Sequence, residues 1–162
     1  MGVLFLSMAH WKKRETIFRE YGFTVTMPGN WQQRDTGDLN RWFYRSPDRR
    51  EQLTLTRLEE VVIDHGEAET AIRKAALRTR RAVELAFGRV PDVSYTPMAT
   101  GEHDGNPLIR FEGEVPSARL WFASMLLFDT RMAWALFYES HKLGEEEARE
   151  RAQALLATAH IG

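Results

Sequence analysis

Cysteine is absent from the 162 residues, which excludes disulfides and thiolate chemistry. Long hydrophobic runs are absent too. The longest near the start, Val3-Leu4-Phe5-Leu6 within Met1 to Ala9, falls far short of the ~20 residues that span a bilayer. No positive charge precedes it, and Lys12-Lys13-Arg14 lies on the wrong side for a signal peptide. The expectation is a flexible N-terminal segment over residues 1–15, with Met8 as an alternative start, then one domain over 16–162, in the cytoplasm. Charge of one sign is also missing. A net charge of −1 sets up no global field for nucleic acid or an anionic membrane. The basic side of the first helix, with Arg73, Lys74, Arg78, Arg80 and Arg81, is diluted by Glu67, Glu69 and Glu84 and reads as a solvated face.

Chemical motifs are equally scarce. His10, His65, His103, His141 and His160 are scattered, with no pair at i,i+4 and no His-Glu-x-x-His. Glu102-His103-Asp104 offers three donor types, but adjacent side chains in a turn seldom converge on one ion, so no metal is expected. No Gly-x-Ser-x-Gly elbow is present, and the glycines at 101 and 105 lead into a strand rather than a helix. No catalytic residue and no cofactor is expected.

What the chain does have is two runs apolar on both side-chain parities. In Arg119 to Phe128, Leu120, Phe122, Leu126 and Phe128 oppose Trp121, Ala123, Met125 and Leu127. In Met132 to Glu139, Met132, Trp134, Leu136 and Tyr138 oppose Ala133, Ala135 and Phe137. Such strands need cover on both faces. Only Asp129, Thr130 and Arg131 separate them, which predicts a central antiparallel hairpin. Further strands are predicted over 16–18, 22–27, 39–45, 52–59, 93–100 and 107–114. In the run from Gln52 to Glu59, Leu53, Leu55 and Arg57 share one face and Thr54, Thr56 and Leu58 the other, which is partly solvated.

Two helices complete the pattern. Asp64 to Phe87 carries Ala68, Ala71, Ile72, Ala75, Ala82, Val83 and Ala86 at helical spacing, with Asp64 and Glu67 as a capping box. Gly144 to Ala159 has Glu145, Glu146 and Glu147 in its first turn and the pairs Glu145–Arg149 and Glu147–Arg151. Short turns between consecutive strands make this an α+β domain, a mostly antiparallel sheet of about six to seven strands with helices packed on it.

The opening strand, Tyr21-Gly22-Phe23-Thr24-Val25-Thr26-Met27, followed by Pro28-Gly29-Asn30-Trp31, together with this element order, resembles the Mog/PsbP-like superfamily. The resemblance implies a three-layer α/β/α domain with no common catalytic site. Its members bind other proteins; DcrB-like lipoproteins and chaperones for type VI secretion effectors are two branches. The chain has no lipobox cysteine, which leaves a bacterial branch such as the chaperones.

The surface singled out for binding is Arg41-Trp42-Phe43-Tyr44-Arg45, with Trp31 beside it and Arg57 reaching in. Aromatic rings are favoured anchors, so Trp31, Trp42, Tyr44 and Arg57 are the expected contacts. The expected function is a non-enzymatic binding or adaptor protein, in one form a chaperone for a secreted effector, with a protein or peptide partner. Two other classes stay open. One is a small-molecule-binding or hydrolytic domain with a pocket between helix and sheet, using Glu112, Glu139 or His141. The other is a structural homodimer joined through an edge strand at Pro107 to Glu114. Monomer and homodimer both fit the sequence.

Overall fold

A computed structural model describes residues 14–58, 68–129, 132–141 and 143–162. The N-terminal segment up to residue 13, the alternative start at Met8 and the capping box of Asp64 and Glu67 lie outside the described residues. Eleven strands and two helices follow in order. They are β1 (Glu15–Glu20), β2 (Phe23–Pro28), β3 (Gln32–Arg34), β4 (Arg41–Arg45), β5 (Glu51–Leu58) and α1 (Ala68–Ala86). Then come β6 (Ser94–Tyr95), β7 (Ala99–His103), β8 (Asn106–Val115), β9 (Leu120–Phe128), β10 (Ala133–Ser140), α2 (Glu145–Ala157) and β11 (His160–Ile161).

The strands form two antiparallel sheets. The larger runs β3-β4-β5-β10-β9-β8-β6, with β7 also paired to β8; the smaller is β1-β2-β11. The doubly apolar hairpin is central as expected, with Ala133 opposite Phe128 and Ser140 opposite Trp121. Every residue of β9 is buried. The expected six or seven strands thus become a main sheet of eight and a separate sheet of three.

Each face of the hairpin has its own cover. Trp121, Met125 and Leu127 of β9 and Trp134, Leu136 and Tyr138 of β10 face the small sheet and α2. Ala148, Ala152, Leu155 and Leu156 supply the helix side of that layer. At its centre Trp134 is fully buried, stacked on Phe23 at 4.4 Å and 5.6 Å from Trp42. On the opposite face Leu126, Phe128 and Ala133 meet Ala75 and Ala76 of α1, and Phe111 and Phe122 meet Val83.

The opening motif is a joint between these layers. Tyr21 and Gly22 both have positive φ, 49° and 74°, as a tight hairpin turn requires. A side chain on Gly22 would also crowd the carbonyl of Gly162, whose N–H donates to Gly22 O at 2.7 Å. After Pro28, Thr16 Oγ1 donates to Gly29 O at 2.8 Å and accepts the Trp31 N–H at 2.9 Å. Trp31 is thereby turned into the core.

α2 begins at Gly144, and its acidic first turn suits the helix dipole. Arg149 bonds Glu145 at 2.7 Å, as predicted, and also Glu112 on β8 at 2.6 Å. Arg151 reaches the buried Glu51 at 3.1 Å, in place of the expected pairing with Glu147. Tyr138 donates to the same carboxylate at 2.7 Å. That buried acid therefore has a cation and a hydroxyl, the condition for keeping its charge inside.

Gly113 has no room for a side chain, because a Cβ there would overlap the Phe122 ring and the Ser94 carbonyl. Gly113→Ala is expected to cost about 2 kcal/mol or more through overpacking between β6 and β9. Urea unfolding at neutral pH measures this, and a change under about 0.5 kcal/mol, the ordinary range for surface sites, would contradict it.

Candidate functional site

α1 is narrower than the sheet face it covers. It lies over β8, β9 and the start of β10, and among the described residues nothing covers the same face of β4, most of β5 and the rest of β10. Two recesses of about 430 and 680 Å³ run there side by side and share Arg41, Thr56, Thr79, Ala82 and Ala135. Together they form one trough between the helix and the sheet.

Its wall is the part of the α1 stripe that finds no partner among the described residues. Ala82 and Ala86 belong to the apolar series predicted from the sequence, yet both are exposed and line the trough. Its floor is the solvated parity of β5, Thr54 and Thr56, flanked by Phe43 of β4 and Ala135 and Phe137 of β10. The wall runs from Ala75 to Phe87. At a rise of ~1.5 Å per residue, this is a length of roughly 18 Å.

The two ends differ in charge. Arg41 and Arg78 stand at one end, with Arg34 further along. Among the described residues neither Arg34 nor Arg41 makes an ion pair. The acids beside them are occupied locally, since Asp35 accepts the Gly37 N–H and Asp38 the Asn40 N–H, each at 2.8 Å. At the other end lies the half-buried Glu139. Burial pushes its carboxyl above the ordinary 4.5, with a smaller opposing effect from His141.

The four sequence-predicted contacts fall differently. Trp31 and Tyr44 are 4% and 6% exposed, inside the core between the two sheets. Burial, with the charge of Glu20 adding to it, raises the Tyr44 phenol. Trp42 is half-buried against Phe18 at 5.1 Å and Tyr21 at 6.3 Å. Arg57 borders the trough at the end of β5, but its guanidinium lies over the Tyr21 ring at 3.7 Å, on the small-sheet side with Trp134. The physical reason is the small sheet: it covers the Trp42 and Tyr44 parity of β4 and leaves the other parity, Arg41 and Phe43, facing the trough. Phe43, named within the singled-out run but not among the four contacts, and Phe137 are the aromatic rings of the trough floor. Their signal was the alternation of β4 itself, once its covered parity is known.

The rival constellations separate as well. Glu112 is on the α2 face, held by Arg149 at 2.6 and 3.1 Å, whereas Glu139 is on the α1 face. His141 Nδ1 is 3.3 Å from the carbonyl of Ala118. A smaller recess of about 270 Å³ beside Arg149 and Glu112 lies on that α2 face. The strand from Pro107 to Glu114 is no free edge: β8 pairs with β9 on one side and with β6 and β7 on the other. The turn at Asp104-Gly105, with φ of 51° and 77°, folds β7 back onto it. Arg80, counted in the basic helix face, is likewise engaged, bonding Glu84 at 2.9 Å and Thr96 O at 2.8 Å.

No family model and no curated protein matches the chain. Solved structures do. The solution structure of cyanobacterial PsbP (CyanoP) from Synechocystis is similar with a TM-score of 0.70 at 12% identity, covering 93% of this chain and 94% of that one. A Bacteroides thetaiotaomicron structure gives 0.43 at 13% identity over 87% of this chain and 45% of that one. A Pseudomonas aeruginosa protein of unknown function gives 0.45 at 15% identity, over 87% and 94%. The chain therefore has a PsbP-like α+β fold. At this identity the likeness carries the fold alone. No described helix is long and apolar enough to cross a membrane.

Glu139 makes a pH prediction. Its folded-state affinity for a proton exceeds that of the unfolded chain, so its effect on stability is favourable below about pH 4.5 and is lost as pH rises through the folded value. Glu139→Gln is expected to melt close to wild type near pH 4 and above it at pH 7. Thermal melts across that range test this, and a variant no more stable than wild type at pH 7 would contradict it.

Proposed function

We propose that this is a non-enzymatic binding or adaptor protein, and that it holds an extended, acidic, partly apolar segment of a protein partner in the trough beside α1. The observation that carries the reading is the uncovered apolar stripe of α1 facing an uncovered sheet face. Ala82 and Ala86 on the wall and Phe43 and Phe137 on the floor supply apolar area worth roughly 25 cal/mol per Å² when covered. Length favours a chain segment over a compact molecule, because roughly 18 Å accommodates about five extended residues at ~3.3 Å each. Arg34 and Arg41, without ion pairs among the described residues, favour acidic side chains on that segment. The contacts in this reading are Arg41, Phe43 and Phe137, and Arg57, turned to Tyr21 on the opposite face, is not among them. A chaperone for a secreted effector, acting in the cytoplasm, is the specific form of this role that the Mog/PsbP-like resemblance supports.

Selection of a phage-displayed random-peptide library on the immobilised protein tests the reading. Acidic sequences with interspersed apolar residues are expected. Their affinity should fall about tenfold or more in Arg41→Glu, equivalent to about 1.4 kcal/mol, and stay unchanged in Arg73→Glu on the exposed side of α1. Enriched peptides that bind wild type and Arg41→Glu equally would overturn the trough as the site.

A further inference from the structure

A second cluster lies outside the trough, where the fold brings His160 to the adjacent pair His103 and Asp104, 56 residues away from the latter in sequence. His103 ends β7, Asp104 opens the tight turn to β8, and His160 begins β11. The fold brings His160 Nδ1 to 2.8 Å from Asp104 Oδ2, and His103 Nε2 to 3.6 Å from the same oxygen. One donor atom from each residue lies within 4.8 Å of the others. The imidazole rings stand nearly parallel, 23° apart with centroids 6.4 Å from one another. None of the three lines the trough.

We propose that His103, Asp104 and His160 form a binding site for one divalent transition ion of the zinc type, which fastens the C-terminal strand to the β7–β8 hairpin. The donor chemistry selects the class. Two imidazole nitrogens and one carboxylate oxygen suit zinc, cobalt or nickel, whereas magnesium and calcium take oxygen donors. The spacing suits it too. Bonds of ~2.0–2.2 Å in a tetrahedron hold donors about 3.3 Å apart, a value that the 2.8 and 3.6 Å separations bracket. Water completes the set, as in three-ligand zinc sites.

The surroundings supply both a rigid and an adjustable part. Asp104 sits at φ 51° with Gly105 at 77°, so the turn fixes the backbone that carries the carboxylate. His103 is largely enclosed, its side chain 17% exposed, and its Nε2 is 2.7 Å from the carbonyl of Ala159, the residue just before His160. Without metal, Nε2–H donates to that carbonyl; an ion at Nε2 displaces the proton and requires the ring or the carbonyl to turn aside, because 2.7 Å is too short to hold an ion between them. Asp104 and His160 are more than half exposed and can close the remaining fraction of an ångström. The ion would tie the small sheet, through β11, to the β7–β8 edge of the main one, where His103 to the Ala159 carbonyl and His160 to Asp104 already make contact.

The test uses the untagged full-length chain after chelator treatment. Zinc chloride is titrated by calorimetry, and cobalt(II) by its visible absorption. One ion per chain is expected, with the intense cobalt band of a tetrahedral field. His160→Ala and Asp104→Asn should each weaken binding about tenfold or more, while His141→Ala leaves it unchanged. Circular dichroism confirms that each variant is folded; where His160→Ala is not, Asp104→Asn decides. Absence of saturable binding, or binding that survives both substitutions, would overturn the proposal.

Discussion

Everything in this fold follows from β9 and β10 being apolar on both faces. A strand pair of that kind excludes water from two sides at once, and no single layer can do it. The chain meets the requirement with unequal covers. One face receives a whole sheet and a helix, β1-β2-β11 and α2, which enclose Trp134, Leu136 and Tyr138 completely. Among the described residues the other receives α1 and, beyond its end, Phe87, Val90, Val93 and Tyr95. One helix has a diameter of ~10–12 Å, whereas neighbouring strands are ~4.8 Å apart. A seven-strand path is therefore too wide for it, and the trough is the part left over.

The same asymmetry explains why the opening motif is structural. Gly22 carries a turn and makes room for the C-terminal backbone, and Trp31 closes the core where the small sheet meets the large one. What the fold shares with CyanoP, at 12% identity, is an architecture.

Local periodicity made much of this legible. The two-sided apolar runs placed β9 and β10 at the centre, and the alternation of Leu53 and Leu55 with Thr54 and Thr56 gave the buried and solvated faces of β5 correctly. The exposed side of the trough was harder to read. Trp42, Phe43 and Tyr44 are all aromatic, so alternation alone cannot say which parity a second sheet will cover. Size suggested Trp42 and Tyr44 as anchors; the small sheet buries that parity and leaves Phe43. β8 was taken as an edge because its pairing with β6 and β7 depends on a turn at Asp104-Gly105 and on sheet order, neither written in its own residues. His160 lies 56 residues beyond Asp104, a separation at which no spacing rule operates, so the cluster exists only in three dimensions.

Photo-crosslinking in the native cell tests the central claim, that the open face beside α1 is where a partner is held. Benzoylphenylalanine in place of Phe43, on the trough floor, is compared with the same residue in place of Glu146, in the first turn of α2 on the far side of the sheet. Irradiation should give one discrete protein adduct from position 43 and none from position 146. An adduct from position 146 alone, or none from position 43 in cells where the folded protein is present, would contradict the account.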